Sequence, residues 1–288
     1  MHRDTKHTLV AVAAVAVVIA VVFVGIFVAS GNFPPRTTVV ESESMQHGTS
    51  SQIGIIDTAD MVILRDKEKG PIISYVEGYN KGYTAFGSYG DVVVYSRSGG
   101  LNPVIHRAIL WLDYNGDNTW SAPSLQNYPS DRWSCSSGYD ETRLSGILSL
   151  KYMNHNNNVT ANINLDQLVR IGSESGFITM GDNNTTFDQP SNITGINGLI
   201  TEEQIKSVAW AEVPWVGAFR MILVSDKMSA IDKNVPNTIP CLIASMLLIV
   251  FLLVGISFFF DQRYYMKYRK ELNEDIDAPT PPFPVEKK

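Results

Sequence analysis

Two stretches of this chain carry no charge at all. Leu9–Ser30 and Ile239–Phe260 are each 22 residues of almost wholly apolar side chains. As helices rising about 1.5 Å per residue, each reaches about 30 Å, the thickness of a bilayer's hydrocarbon core. Both are therefore read as transmembrane helices. The first is longer than the about 7–15 apolar residues usual in a signal peptide. Val28-Ala29-Ser30 offers small residues for cleavage, but a retained anchor is favoured. Arg3 and Lys6 precede the first run, and Arg263, Lys267, Arg269 and Lys270 follow the second. Positive flanks mark the cytoplasmic side, so both termini are expected there and residues 31–238 on the outer face. The layout is a cytoplasmic start (1–8), a helix (9–30), an outer domain (31–238), a second helix (239–260) and a cytoplasmic tail (261–288). From residue 271 the tail has the Pro-rich, charged composition of a disordered end.

Residues 31–238 hold 15 Lys and Arg against 22 Asp and Glu, a net charge of −7, which argues against a nucleic-acid partner. The two cysteines, Cys135 and Cys241, form no disulfide framework or Cys/His metal set. The outer domain must fold on its apolar core, and about 200 residues suffice for that. Four sequons, beginning at Asn158, Asn183, Asn184 and Asn192, fit an outside location.

Within that domain, β-branched runs are separated by Gly, Asn and Asp. Met61–Leu64, Asp91–Tyr95, Pro103–Leu112 and Gly176–Met180 read as strands. Thr201–Trp210, opened by a capping-type threonine, is ambiguous between helix and strand. Residues 113–170 are rich in Asn, Ser and Tyr and are read as an insertion of lower order, with a strand or two near Gly146–Asn154 and Val159–Leu165. The expected fold is mainly β, flanked by two transmembrane helices.

A serine becomes a nucleophile when a neighbouring base takes its proton and a third group orients the base. Ser44 lies about fourteen residues past the first apolar run, within reach of a substrate anchored in the same bilayer. Ser42-Glu43-Ser44-Met45 is similar to the Ser-Gly-Ser-Met element of type I signal peptidases. Ala59-Asp60-Met61-Val62-Ile63 and Gly90-Asp91-Val92-Val93-Val94-Tyr95 resemble the strands that follow it in that family. Val104-Ile105-His106-Arg107 falls where the family places its general base, a lysine in bacterial members and a histidine in archaeal and endoplasmic-reticulum members. Phe177–Asn184 with Asp188, then Glu212–Gly217, resemble the last two boxes. The resemblance covers residues 10–112 and 172–221. This chain departs from it at Glu43 (glycine in the family), His47 (proline), Ala59 (glycine) and the long insertion.

What the resemblance implies is a membrane serine endopeptidase that removes signal peptides after Ala-x-Ala-like sequences. Its partners would be secretory preproteins, the lipid bilayer and the secretory translocation machinery. Ser44 would be the nucleophile and His106 the base. Asp188 is favoured as the group that orients His106, with Asp182 as structural support or alternate partner. The Ser44 N–H and the Ser42 hydroxyl would form the oxyanion hole, and no cofactor is required. His47, three residues from Ser44, is a rival base, and His155 reads as a solvated loop residue. Asp113-x-Asn115-x-Asp117 resembles the start of a calcium loop, but Ser124 stands where a bidentate Glu belongs. The competing reading is an inactive, membrane-anchored binding protein that uses the insertion for contacts.

Overall fold

Val92-Val93-Val94-Tyr95 is apolar at every position, the mark of a strand covered on both faces. The computed structural model describes residues 36–138, 140–190 and 192–276, together with Val21, Val24, Gly25, Val28, Ser30 and Gly31. It divides into two units, one spanning Ile19–Leu242 and one containing the helix from Ile243 onward.

The first unit is mostly β. Its main sheet uses β1 (Thr37–Val39), β2 (Met61–Arg65), β5 (Val92–Tyr95), β6 (Val104–Tyr114), β11 (Gly176–Met180) and β12 (Ile205–Val213), in the order β1-β2-β12-β5-β6-β11. The short β7 (Trp120–Ser121) pairs with the far end of β6, and β3 (Thr84–Ala85) pairs with β4 (Ser88–Tyr89) as a small hairpin. Every pairing in the main sheet is antiparallel. Residues on β5 alternate between two cores, as a period of two requires. Val92 and Val94 pack with Met45, Ile56, Val62 and Leu64; Val93 and Tyr95 pack with Ala108, Phe177 and Val208.

β1 and β11 are the two edges of this sheet, yet the chain beyond them meets. The Asn183 N–H donates to the Ser44 carbonyl at 2.9 Å. The sheet therefore curls, and the segments that leave its edges form one site.

Residues 113–170 are not of lower order. They build a second sheet from β8 (Trp133–Ser137), β9 (Ser145–Lys151) and β10 (Thr160–Asn164), followed by α2 (Leu165–Ile171). Trp120, Leu144, Leu148, Leu150, Ile163 and Leu168 are fully buried in a core shared with β6, β11 and the earlier helix α1 (Tyr75–Lys81). The sequence hides this because the sheet is one-sided. Thr160-Ala161-Asn162-Ile163-Asn164 alternates exposed and buried, so its outward Asn and Thr resemble a loop while Ala161 and Ile163 serve the core.

Thr201–Trp210 resolves as strand. The Thr201 N–H donates to Gln204 Oε1 at 2.9 Å and the Gln204 N–H donates back to Thr201 O at 3.2 Å, closing a turn that feeds β12 between β2 and β5. Two short helices follow, α3 (Gly217–Leu223) and α4 (Met228–Asn234). The Pro-x-x-Gly segment before α3 needs its glycine for close approach. A Cβ on Gly217 would lie 2.7 Å from Asp60 O and 2.8 Å from Ala59 O.

The last helix, α5, runs from Thr238 to Ile276, and its Thr238–Lys270 portion is long and apolar enough to cross a membrane. Residues 271–276, expected to be disordered, continue this helix; Glu and Leu there are strong helix formers. The expected first membrane helix lies outside the described residues except for Val21, Val24, Gly25, Val28 and Ser30, which are helical. The start 1–8 and the tail beyond 276 also lie outside them.

Candidate active site

Ser44 sits in a turn rather than on extended chain, with the Gln46 N–H donating to Glu43 O at 3.1 Å. Its neighbour Met45 is 1% exposed and anchors the turn in the core beneath β2 and β5. Gln46 is buried too: its amide donates to the carbonyls of Gly48 (3.0 Å) and Asn234 (3.1 Å), and its oxygen accepts from the Thr58 hydroxyl. Two buried side chains thus pin the turn, and Ser44 is left facing outward.

His106 comes from β6, paired with Val93 of β5. Its Nε2 lies 3.0 Å from Ser44 Oγ, and its Nδ1 lies 2.8 Å from Asp188 Oδ2. An ionised carboxylate can only accept, so Nδ1 carries the proton and Nε2 is the free base facing the serine. Asp188 follows β11 and is tied back to it by its own N–H, which donates to Thr179 O at 2.9 Å. Both His106 and Asp188 are buried.

Asp182 plays a different part. Arg107, the residue after His106 and therefore on the opposite face of β6, grips it with Nε at 2.7 Å from Oδ1 and Nη2 at 2.6 Å from Oδ2. Its remaining guanidinium hydrogens reach the carbonyls of Gly90 (2.7 Å), Ala85 (3.0 Å) and Tyr89 (3.2 Å). Burial alone would push the Asp182 carboxyl up; the Arg107 guanidinium and, behind it, His47 overcome that and hold it at about 2. His47 is committed to this network, with Nε2 2.9 Å from Asp182 Oδ2, and is not directed at Ser44. His155 is half-buried rather than free in solvent. Its ring stacks on His47 at 4.8 Å, and its Nδ1 lies 3.4 Å from Asp182 O.

Gly181 stands between the two halves of the site. A Cβ there would come within 2.5 Å of Ser44 O and 3.0 Å of His106 Nε2. Only a bare Cα lets β11 deliver Asp182 and Asn183 while Ser44 stays against His106.

Ser42 Oγ lies 3.2 Å from Ser44 Oγ on the exposed side of the turn. Among the described residues no acceptor bonds the Ser44 N–H, so that donor is open. The Glu43 carboxylate turns away toward Lys233, 3.8 Å distant, and its backbone carbonyl takes the Asn183 side-chain amide at 3.0 Å. Ala59 adopts φ 72°, the left-handed region that glycine occupies without steric cost. The calcium-like Asp113 and Asp117 are engaged locally, Asp113 by the Trp111 indole N–H at 2.7 Å and Asp117 by Thr119 and Arg143.

Two hydroxyls that sequence reasoning missed converge on Asp188. Tyr95 Oη and Thr179 Oγ1 each lie 2.6 Å from Asp188 Oδ2. The one signal for the first was a tyrosine ending an otherwise aliphatic strand.

Ser44 and His106 open onto a groove of about 800 Å³ lined by residues 36–42, Val104, Ile105, Asn184 and Ile193, among others. Among the described residues, β1 pairs only with β2, and Val104–His106 pair only with β5, because β11 joins β6 from Arg107 onward. Both sides of the groove therefore present unpaired strand backbone. A second cleft, about 530 Å³, lies over Trp111 and Phe177 and contains none of these residues. No protein-family model matches the chain, and no curated protein matches it in sequence.

Proposed function

We propose that this protein is a membrane-anchored serine endopeptidase that removes N-terminal signal peptides from secretory preproteins on the extracytoplasmic side, with both termini in the cytoplasm. The observation that carries this reading is the hydrogen-bonded series Ser44 Oγ, His106 Nε2, His106 Nδ1, Asp188 Oδ2 at 3.0 and 2.8 Å, at the head of a groove bordered by strand edges. The apolar α5 supports a membrane location.

An extended substrate adds to the free strand edges, its main chain hydrogen-bonding to the groove walls. His106 takes the Ser44 proton as Oγ attacks the scissile carbonyl, and Asp188 steadies the imidazolium that forms. The open Ser44 N–H and the Ser42 hydroxyl stabilise the oxyanion. His106 then protonates the departing amine, giving the mature N-terminus and an acyl-Ser44 that water hydrolyses with His106 again as base. Arg107 and Asp182 hold the β6–β11 junction without touching the reacting atoms. Small residues before the cut, and the secretory translocation machinery as partner, follow from the resemblance to signal peptidases.

The test expresses wild type, Ser44→Ala, His106→Ala and His47→Ala with a preprotein that carries a cleavable signal peptide. Wild type and His47→Ala are expected to process it, and the other two are not. Processing that survives in Ser44→Ala or His106→Ala overturns the assignment. A wild type that binds preprotein without cutting it supports the inactive binding protein, the reading that Glu43 beside the nucleophile favours.

A further inference from the structure

We infer that the Tyr95 and Thr179 hydroxyls are positioning groups for the candidate active site, holding Asp188 and moderating its pull on His106; this rests on the peptidase reading. Three donors share one oxygen. His106 Nδ1–H at 2.8 Å, Tyr95 O–H at 2.6 Å and Thr179 O–H at 2.6 Å all point to Asp188 Oδ2. A merely structural need, satisfying a buried carboxylate, would be met by spreading donors over both oxygens. Convergence on the oxygen that faces His106 does more. Each added donor draws charge from Oδ2, so the carboxylate orients the imidazole without binding its proton too tightly.

The proton count is consistent with this arrangement. The Gln189 side chain brackets Thr179, its Nε2 donating to Thr179 Oγ1 at 3.1 Å and its Oε1 accepting the Thr179 N–H at 3.0 Å. Thr179 Oγ1 also lies 3.2 Å from Tyr95 Oη, but its single proton goes to Asp188 Oδ2, the charged and much closer acceptor at 2.6 Å. Burial, then the neighbouring Asp188 charge, push the Tyr95 phenol far above its ordinary value, so it always has a proton to donate. Tyr95, Thr179 and Gln189 are fully buried, and none of them lines the groove. The titratable or charged groups around this cage are His106 on β6, Asp188 after β11, Tyr95 on β5 and, at longer range, Arg97.

The experiment uses the full chain and the preprotein assay. Tyr95→Phe keeps the ring in the core and removes one donor. It should lower kcat about ten-fold with KM unchanged, since one hydrogen bond to a charged group is lost and no groove contact is. The acid limb of the pH profile should move to higher pH, because an Asp188 with fewer donors holds the imidazolium proton more firmly. Thr179→Val should do the same and Thr179→Ser should restore wild-type behaviour, which keeps the test alive if Tyr95→Phe does not fold. Loss of folded protein alone would lower the rate without moving the limb. Wild-type kcat and an unmoved limb in Tyr95→Phe and Thr179→Val overturn the inference and leave the peptidase reading standing. If wild type does not cleave, the peptidase reading falls. The inference is then decided by NMR of the His106 Nδ1 proton: its resonance moves in both variants if the cage is as described, and stays in place if it is not.

Discussion

Arg107→Met keeps most of the aliphatic stem of a side chain that is 1% exposed and deletes every hydrogen bond its guanidinium makes. Two of those bonds go to Asp182 and the rest to backbone carbonyls around the β3–β4 hairpin. Asp182 would be left buried with only His47 for company. Breaking a buried ion pair from one side costs about 3–5 kcal/mol, a large share of the about 5–15 kcal/mol that holds a typical domain together. The pH dependence supplies a second, independent signature. In the native protein the Asp182 carboxyl lies at about 2 against an ordinary 3.8. At about 1.4 kcal/mol per pH unit this contributes about 2 kcal/mol of stability. Because the folded value is depressed, that contribution is complete above about pH 4 and disappears as pH falls toward 2. Without Arg107, burial prevails, the carboxyl rises above its ordinary value, and the sign reverses. Urea unfolding followed by tryptophan fluorescence in detergent micelles, at pH 7 and stepwise down to pH 3, measures both effects. Wild type should weaken below pH 4, and Arg107→Met should be weaker at pH 7 but lose nothing further below it. A cost under about 1 kcal/mol at pH 7, or a wild-type acid slope in the variant, would refute the role given to this pair.

Gly181→Ala places a methyl within 2.5 Å of Ser44 O and should separate the serine from its base; preprotein processing should fall at least about ten-fold while circular dichroism of the domain is unchanged. Ala59→Gly relieves a left-handed backbone at φ 72° and should stabilise the domain by about 1 kcal/mol, read as a rise in Tm. Burial first of all raises Asp57 to about 6, Glu212 to about 7 and Asp60 to about 8. A carboxyl with a raised folded value stabilises most when protonated, so this group's contribution is full near pH 4 and is lost as pH rises through 6–8. Glu212→Gln should flatten the fall in stability between pH 5 and pH 8, and an unaltered slope would contradict the burial argument.

The C-terminal apolar run was legible as a membrane-length helix because twenty or so uncharged residues have few other uses in a chain. The central strands were legible for a related reason: Val92–Tyr95 and Val104–Leu112 are covered on both sides, so almost every residue is apolar. Ser44, His106, Asp182 and Asp188 were legible as candidates from local motifs. The sheet of residues 133–164 was not, since a one-sided strand devotes every second residue to solvent, and Asn and Ser there imitate a loop.

What the sequence by itself determined was therefore the inventory: apolar lengths, strand-forming runs, and which serine, histidine and carboxylates were available. Which carboxylate faces His106 was only favoured by the resemblance, toward Asp188; the tertiary structure decided it. Asp182 and Asp188 are six residues apart on one connection, and nothing local separates their roles. Because successive residues of β6 point to opposite faces, His106 and Arg107 look in opposite directions, and each took the carboxylate that the β11 connection carried to its own side. The Tyr95 and Thr179 hydroxyls belong to the same lesson, since 93 and 9 residues of separation from Asp188 close to 2.6 Å only when β5, β6 and β11 lie side by side.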